Sequence, residues 1–176
     1  MRAGPGLRVG QGFDLHRLSA GLPLILAGVR IPHDRGPVGH SDGDVLCHAL
    51  CDAILGAAGA GDIGTHFPDD DPRWAGTAGL LLLARTVDTV RAAGFRVGNA
   101  DATVILERPR LRPHVSAIVR ALAGALGVAE SEVSVKAKTA EELGPIGEGA
   151  AIAAQAIVLL IAVGDPGSGE PRGAGF

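Results

Sequence analysis

The sequence predicts one α/β domain, because segments with a strand pattern alternate with segments that have the period of a helix. Strands are expected at about residues 7–18, 22–31, 97–106 and 133–138. Helices are expected at about residues 41–58, 80–93 and 113–127. A length of 176 residues with 47% hydrophobic residues suits one domain with a buried core. We expect this domain to span residues 7–163, between a flexible N-terminus at 1–6 and a disordered tail at 164–176.

The first predicted strand contains Asp14-Leu15-His16. Because side chains alternate along a strand, Asp14 and His16 lie on the same face and can act together as metal ligands. A turn near Ser19-Ala20-Gly21 separates this strand from the second one.

The first predicted helix begins at a cap in the Ser41-Asp42 pair and ends near residue 58, before two glycines. Asp44, His48 and Asp52 recur at every fourth residue, so they share one face of this helix.

Glycine and proline residues mark the limits of the later elements. Asp62–Ala78 is acidic and rich in Gly and Pro, and a loop of that length in a compact domain is usually functional or mobile. Gly94 ends the second helix, Pro113 begins the third and Gly127 ends it. The run Ala150–Val163 is ambiguous, because its alanines favour a helix while its Ile, Val and Leu residues favour a strand.

Asp14, His16 and His48 would give zinc three protein ligands and an open fourth position, which is the pattern of a catalytic zinc site. Asp44 or Asp52 would accept the second ring N–H of His48 and fix its tautomer. The alternative is that both histidines are ordinary surface or hydrogen-bonded residues, and spacing alone leaves the two interpretations equally open.

Cys47 and Cys51 form a competing pair of ligands, because they are four residues apart in the predicted helix. They lie about 100° around the helix from His48, and no third ligand accompanies them. We therefore interpret both as small, buried core residues.

Composition argues against several functions. An aromatic fraction of 3%, no Tyr and a net charge of −3 disfavour nucleic-acid binding. Residues 1–6 lack the apolar core of a signal peptide, and Ala150–Val163 is too short to span a membrane. The expected setting is the reducing cytoplasm, without disulfides or a membrane.

Two polar segments allow a functional and a neutral interpretation. Asp69-Asp70-Asp71 either contacts hydroxyl groups of a polar substrate or is a solvated loop. The segment Lys136–Glu142 contains Lys, Thr and Glu residues that suit a phosphate and a hard cation, but the signal is weak on its own.

Taken in order, these segments resemble the family of 2-C-methyl-D-erythritol 2,4-cyclodiphosphate synthases of the non-mevalonate isoprenoid pathway. The matching motifs are Gly10–His16, His40–Asp44 with His48, Gly61–Gly64, Phe67–Pro72, Pro109–Leu111 with Pro113-His114, and Val135–Thr139 with Glu141. The resemblance covers about Arg8 to Ala162, and several ordered motifs over that length are far more specific than any single motif.

The resemblance implies an α+β fold in which helices cover one face of a mixed sheet, and a homotrimer with active sites between subunits. It also implies that Ala150–Val163 is a strand. Members of the family convert 4-diphosphocytidyl-2-C-methyl-D-erythritol 2-phosphate to 2-C-methyl-D-erythritol 2,4-cyclodiphosphate. The 2-phosphate attacks the β-phosphorus within the same molecule, and CMP is released.

The resemblance further implies the functional residues. Asp14, His16 and His48 match the zinc ligands, and Glu141 matches the ligand of a magnesium or manganese ion. His40 and Thr139 match residues that stabilise the transition state. The positions matched to substrate contacts are Asp14, Leu15, His16, His40, Ser41, Asp62, Ile63, Gly64, Phe67, Asp69, Asp70, Asp71, Leu106, Pro109, Arg110, Leu111, Arg112, Lys138, Thr139, Ala140 and Glu141.

Three positions depart from the family pattern. Lys138 stands where many members have Thr, and Pro145 and Glu148 stand where members often have Phe and Arg along the trimer axis. We therefore expect weak or absent binding of isoprenoid diphosphates at that axis.

Two rival functions stay open beside the synthase. One is a zinc-dependent phosphohydrolase, in which water is the nucleophile. The other is a non-catalytic trimer that binds cytidine nucleotides.

Overall fold

The computed structural model describes residues 6–163. The predicted disordered tail and most of the predicted flexible N-terminus lie outside the described residues. The proposed limits of the domain therefore stay a prediction.

Five strands form a mixed sheet in the order β4-β1-β7-β5-β6. These strands are β1 (Leu7–Ala20), β4 (Arg35–Pro37), β5 (Phe95–Ile105), β6 (Val133–Lys138) and β7 (Ala151–Ala162). Neighbouring strands are antiparallel except β5 and β6, which run parallel. A separate hairpin pairs β2 (Leu24–Leu26) with β3 (Val29–Ile31).

Helices cover one face of this sheet. They are α1 (Val45–Ala58), α2 (Ile63–His66), α3 (Gly79–Ala92), α4 (Val115–Leu126) and α5 (Gly144–Gly147). Helix α1 packs on β1 and β7, α4 packs on β6, and α3 contacts both helices. On the opposite face of β1, Leu7, Val9, Phe13 and Leu15 are 52–68% exposed. The expected α+β class, with a mixed sheet and helices, is confirmed. Within residues 6–163, no helix has the length and hydropathy needed to cross a membrane.

The backbone of α1 rests directly on β1 at two glycines. A Cβ atom at Gly10 would lie 1.9 Å from the carbonyl oxygen of Ala53, and one at Gly12 would lie 2.0 Å from that of Ala49. No side chain fits in that space, because protein interiors are already close-packed. The spacing of these glycines therefore fixes how closely the helix approaches the strand.

Most of the predicted elements occur in the structure, but β4, α2 and α5 were not predicted. Strands were expected where β1, β5 and β6 occur, and the ambiguous run near the C-terminus is strand β7, as the resemblance implied. The single strand expected at 22–31 is wrong, because Ala27 and Gly28 have φ angles of 50° and 71° and turn the chain into the β2–β3 hairpin. Positive φ at both central residues is the geometry of a tight hairpin turn.

Two other local predictions need correction. Helix α1 is capped by Asp44, whose side chain accepts the N–H of Cys47, and not by Ser41 or Asp42. The predicted long loop at 62–78 contains the short helix α2 and a 3₁₀ turn at Pro72–Trp74. The third predicted helix likewise begins with a 3₁₀ turn at Arg112–His114 before α4.

Candidate metal centre and its cavity

Strand β1 and helix α1 bring three ligand atoms together. Oδ2 of Asp14 lies 2.9 Å from Nε2 of His16 and 3.0 Å from Nδ1 of His48. The two ring nitrogens lie 3.2 Å apart. Asp14 and His16 share the face of β1 that also carries Gly12, where α1 rests, so His48 reaches them from the helix. The predicted convergence of these residues is confirmed.

The spacing of the three atoms fits a metal ion. Ligands roughly 2.0–2.1 Å from a tetrahedral zinc lie roughly 3.3 Å apart, so the observed atoms need to separate by only a few tenths of an ångström. Two imidazole nitrogens and one carboxylate oxygen are a donor set that suits zinc, and three protein ligands leave one position open. These residues can therefore hold a divalent metal.

Neighbouring groups orient all three side chains. Oδ1 of Asp14 accepts the N–H of Leu15 at 2.8 Å, which leaves Oδ2 facing the histidines. The backbone of Val38 lies beside the His16 ring and helps to raise its pKa. Nε2 of His48 lies 2.9 Å from Oγ of Ser41, so a ring N–H there would donate to the hydroxyl and leave Nδ1 free to bind a metal.

The predicted partner of the second ring nitrogen of His48 is wrong. Asp44 is fully buried and accepts the N–H groups of Cys47 and Gly28. Asp52 accepts the N–H of Ile63 at 2.8 Å, which ties α2 to α1. Both carboxylates are engaged with the backbone because both stand beside ends of elements with unpaired N–H groups.

The charges of the cluster reinforce each other. Burial raises the pKa of the Asp14 carboxyl, but hydrogen bonds and charges from His16 and His48 together lower it well below its usual value. The pKa of His16 is raised, first by its hydrogen bond to Asp14, which outweighs the effect of burial. Because metal ligands must be deprotonated, a bound cation would compete with protons for these groups.

The interpretation of the two cysteines as core residues is confirmed. Cys47 and Cys51 are free and completely buried. Burial is also the main reason why the pKa values of both thiols are raised. Neither belongs to the cluster of Asp14, His16 and His48.

A cavity of about 260 Å³ opens beside the three ligands. Six more of the predicted site residues line it: His40, Ser41, Ile63, Gly64, Phe67 and Asp69. Sequence reasoning missed two apolar lining residues, Trp74 and Leu82. The Trp74 and Phe67 rings meet edge to face with centroids 4.9 Å apart and form an apolar wall. The one Trp of the chain, close behind the acidic motif, was the signal available for this wall.

The acidic residues around this cavity also shape the backbone. Asp62 caps α2 by accepting the N–H and the hydroxyl of Thr65. Asp71 caps the following 3₁₀ turn and pairs with Arg73. Of the four predicted contacts in these acidic motifs, Asp69 lines this cavity, whereas Asp62, Asp70 and Asp71 do not.

A second set of predicted site residues lies toward the other edge of the sheet, at the ends of β5 and β6. Leu106 and Pro109–Arg112 follow β5, while Lys138–Glu141 ends and follows the parallel strand β6. Register aligns Leu15, Ala153, Ile105 and Lys138 in one row across four strands. Three strand spacings separate the ends of that row by about 14 Å. Within one chain, none of these residues lines the cavity beside the metal ligands.

Comparison with known proteins identifies relatives along almost the whole described chain. The model of the YgbB family matches residues 7–161. The 2-C-methyl-D-erythritol 2,4-cyclodiphosphate synthase of Gloeobacter violaceus is 54% identical over 154 residues, which cover 88% of this chain and 94% of that protein.

Solved structures agree with this result. The bifunctional IspDF from Campylobacter jejuni is 41% identical with a TM-score of 0.87 over 90% of this chain, which spans 43% of that longer chain. A 2C-methyl-D-erythritol-2,4-cyclodiphosphate synthase in its CDP-bound form is 41% identical with a TM-score of 0.81, covering 87% of this chain and 99% of that one. The resemblance stated from the motifs is confirmed, and the chain belongs to the YgbB family.

Proposed function

We propose that this chain converts 4-diphosphocytidyl-2-C-methyl-D-erythritol 2-phosphate to 2-C-methyl-D-erythritol 2,4-cyclodiphosphate and CMP. The reaction is that of a cyclising phosphorus–oxygen lyase. The observation that carries this proposal is the convergence of Asp14, His16 and His48 beside a cavity, in a chain whose relatives bear the name of that synthase. We also propose that the enzyme acts in the cytoplasm, where its two free thiols stay reduced.

Zinc is the proposed metal at Asp14, His16 and His48, because the donor set and the spacing of the atoms suit it. When bound, it would supply a positive charge that orients and polarises a phosphate oxygen. Glu141 is the proposed ligand of a magnesium or manganese ion that neutralises the diphosphate. The carboxylate of Glu141 is exposed and accepts the hydroxyl of Thr139 at 2.7 Å.

The proposed substrate contacts follow the two parts of the site. On the cavity side, His40 and Ser41 bind phosphates, and Asp62 and Gly64 bind the ribose. Leu15, between the two metal ligands of β1, is a further proposed substrate contact. The methylerythritol part contacts Ile63, Phe67, Asp69, Asp70 and Asp71. On the far side, backbone groups of Leu106, Pro109, Arg110, Leu111 and Arg112 hold the cytosine, and Lys138, Thr139, Ala140 and Glu141 contact the phosphates.

This chemistry asks little of the protein beyond positioning. The 2-phosphate is mostly dianionic at neutral pH, since its second pKa is about 6, so no general base is needed. The new P–O bond forms between the 2-phosphate and the β-phosphorus, and the bond to the oxygen of CMP breaks with its electron pair. His40 and Thr139 donate hydrogen bonds to the oxygens that gain charge, while the apolar wall of Phe67 and Trp74 excludes water.

We propose a homotrimer in which each active site lies between two subunits. One observation in support is the exposed apolar face of β1, with Ile157 of β7 beside it, because monomers rarely leave such a surface in water. The other is the separation of about 14 Å between the two halves of the proposed site within one chain. A neighbouring subunit would bring the second half to the cavity.

The test is incubation of the protein with the proposed substrate, zinc and magnesium, followed by phosphorus NMR. The expected products are CMP and the cyclic diphosphate. A linear, water-derived phosphate product would indicate the phosphohydrolase, and tight CDP binding without turnover would indicate the non-catalytic trimer. Either result would overturn the proposal.

A further inference from the structure

The segment Thr139–Glu142, which lies between β6 and α5, has an unusual backbone. Glu141 and Glu142 have φ angles of 52° and 62°, so two consecutive residues with side chains adopt the left-handed conformation. Only glycine adopts it without cost, and such strain persists only where the surroundings impose it. The segment therefore needs neighbours that hold it in this shape.

One such neighbour is Glu107, which follows the parallel strand β5. Its Oε2 atom accepts the N–H of Ala140 at 3.1 Å and the N–H of Glu142 at 3.4 Å. Two amides that are two residues apart and converge on one anion form a backbone nest. The anion in this nest is a carboxylate of the chain itself.

Gly147 in α5 also packs closely against this segment. A Cβ atom at Gly147 would lie 2.2 Å from the carbonyl carbon of Glu142. The backbone of Glu142 therefore contacts both the Glu107 carboxylate and Gly147. Strand pairing sets the first of these contacts, since the N–H of Leu106 donates to the carbonyl of Lys138 at 2.9 Å and aligns the ends of β5 and β6.

We propose that Glu107 is a positioning residue that holds Thr139–Glu142 in its left-handed form and thereby aims Glu141 at the second cation. The effect on cation binding rests on the proposed function, whereas the effect on the backbone of the segment does not. The hydrogen bond from Thr139 to Glu141 links the two side chains. Loss of the nest would release both the cation ligand and the hydroxyl that contacts phosphate.

The distinguishing pair of variants is Glu107→Gln and Glu107→Leu. Both amide bonds end on one oxygen, which the glutamine amide can still supply, whereas leucine has no acceptor. Glu132→Leu, at an exposed side chain in a 3₁₀ turn, is the matched control for loss of a carboxylate.

Hydrogen–deuterium exchange of the peptide that contains residues 139–143 is the first readout. In Glu107→Leu the exchange should accelerate about tenfold, because charge-assisted hydrogen bonds are lost. In Glu107→Gln it should stay within about threefold of the parent, since a neutral bond is roughly half as strong. Equal exchange in parent and leucine variant, or equal acceleration in both variants, would overturn the inference.

The second readout is the magnesium concentration that gives half-maximal CMP release at saturating substrate, with zinc content measured alongside. We expect it to rise about tenfold in Glu107→Leu, and to stay near the parent value in Glu107→Gln and Glu132→Leu. An unchanged magnesium requirement in the leucine variant would overturn the link to Glu141. If Glu107→Leu does not fold, Glu107→Ser replaces it under the same criteria, because the shorter serine side chain withdraws the acceptor from the two amides. A parent protein without turnover would refute the proposed function, while the exchange measurement would still decide the role of Glu107.

Discussion

The metal centre and the β6–α5 segment differ in how completely one chain builds them. The side chains of Asp14, His16 and His48 are 12–23% exposed, and backbone packing between β1 and α1 holds them together. Thr139 and Glu141 are exposed and belong to a connection with strained backbone. The first region is thus organised before any ligand arrives. The backbone of the second region is shaped within one chain. Its side chains meet their binding partners only when the substrate and, as we propose, a neighbouring subunit are present.

Loss of a metal ligand should have the largest effect. We expect His48→Ala to lose its zinc and more than about a hundredfold of activity, since even outer partners of zinc ligands contribute ten- to a hundredfold. Metal analysis of the purified proteins is the measurement. Cys47→Ala is the control and should keep its zinc, and zinc that followed the cysteine instead would refute the ligand set.

The close contact of α1 with β1 can be broken without touching a ligand. Gly12→Ala places a Cβ atom against the carbonyl of Ala49, and overpacking of this kind costs about 1–3 kcal/mol of the free energy of unfolding. The free energy of unfolding, measured with denaturant, and the affinity for zinc should both fall. Gly56→Ala is the matched control, because a Cβ atom there meets open space, and an alanine inside a helix should add about 0.5–1 kcal/mol. Unchanged stability in Gly12→Ala would show that this contact does not set the centre.

The hydrogen bond between Ser41 and His48 should matter to the metal even without substrate. In Ser41→Ala we expect zinc affinity to fall about ten- to a hundredfold, because the imidazole loses the partner that fixes its orientation. Competition with a chelator measures this affinity directly. Ser116→Ala, on the exposed surface of α4, should leave it unchanged, and equal affinities in all three proteins would contradict the role of Ser41.

A change in the second region should leave the first intact. Thr139→Ala should lower kcat and kcat/KM together by about tenfold, as expected for a contact made in the transition state. Zinc content and KM should stay near the parent values. A rise in KM with unchanged kcat would assign Thr139 to ground-state binding only.

The smallest effect is expected at Glu148. This exposed residue lines a second cavity of about 240 Å³ with Arg35, Glu107 and Arg108. In a trimer, symmetry would repeat its carboxylate three times, and like charges repel an anion. Calorimetric titration with farnesyl diphosphate should therefore show little or no binding, and Glu148→Ala should retain activity. Tight binding that disappears in Glu148→Ala would contradict this expectation.

The sequence predicted the parts of the site that follow from local periodicity. Alternation along β1 correctly placed Asp14 and His16 on one face, and helical spacing placed the cysteines away from them. It could not predict that Ser41 is the partner of His48, because Asp44 and Asp52 are taken up by backbone N–H groups whose positions depend on the tertiary fold. The role of Glu107 was also out of reach, since it depends on the register of β5 and β6 and on two left-handed residues.

We propose that β1 and α1 of one chain together build a zinc site beside the cavity. Anomalous diffraction at the zinc edge, from crystals grown with zinc and CMP, is the most direct test of this site. We expect one zinc peak per chain, bound by Oδ2 of Asp14, Nε2 of His16 and Nδ1 of His48 at about 2.0–2.2 Å. A zinc peak at other residues, or none at these three in zinc-saturated protein, would contradict it.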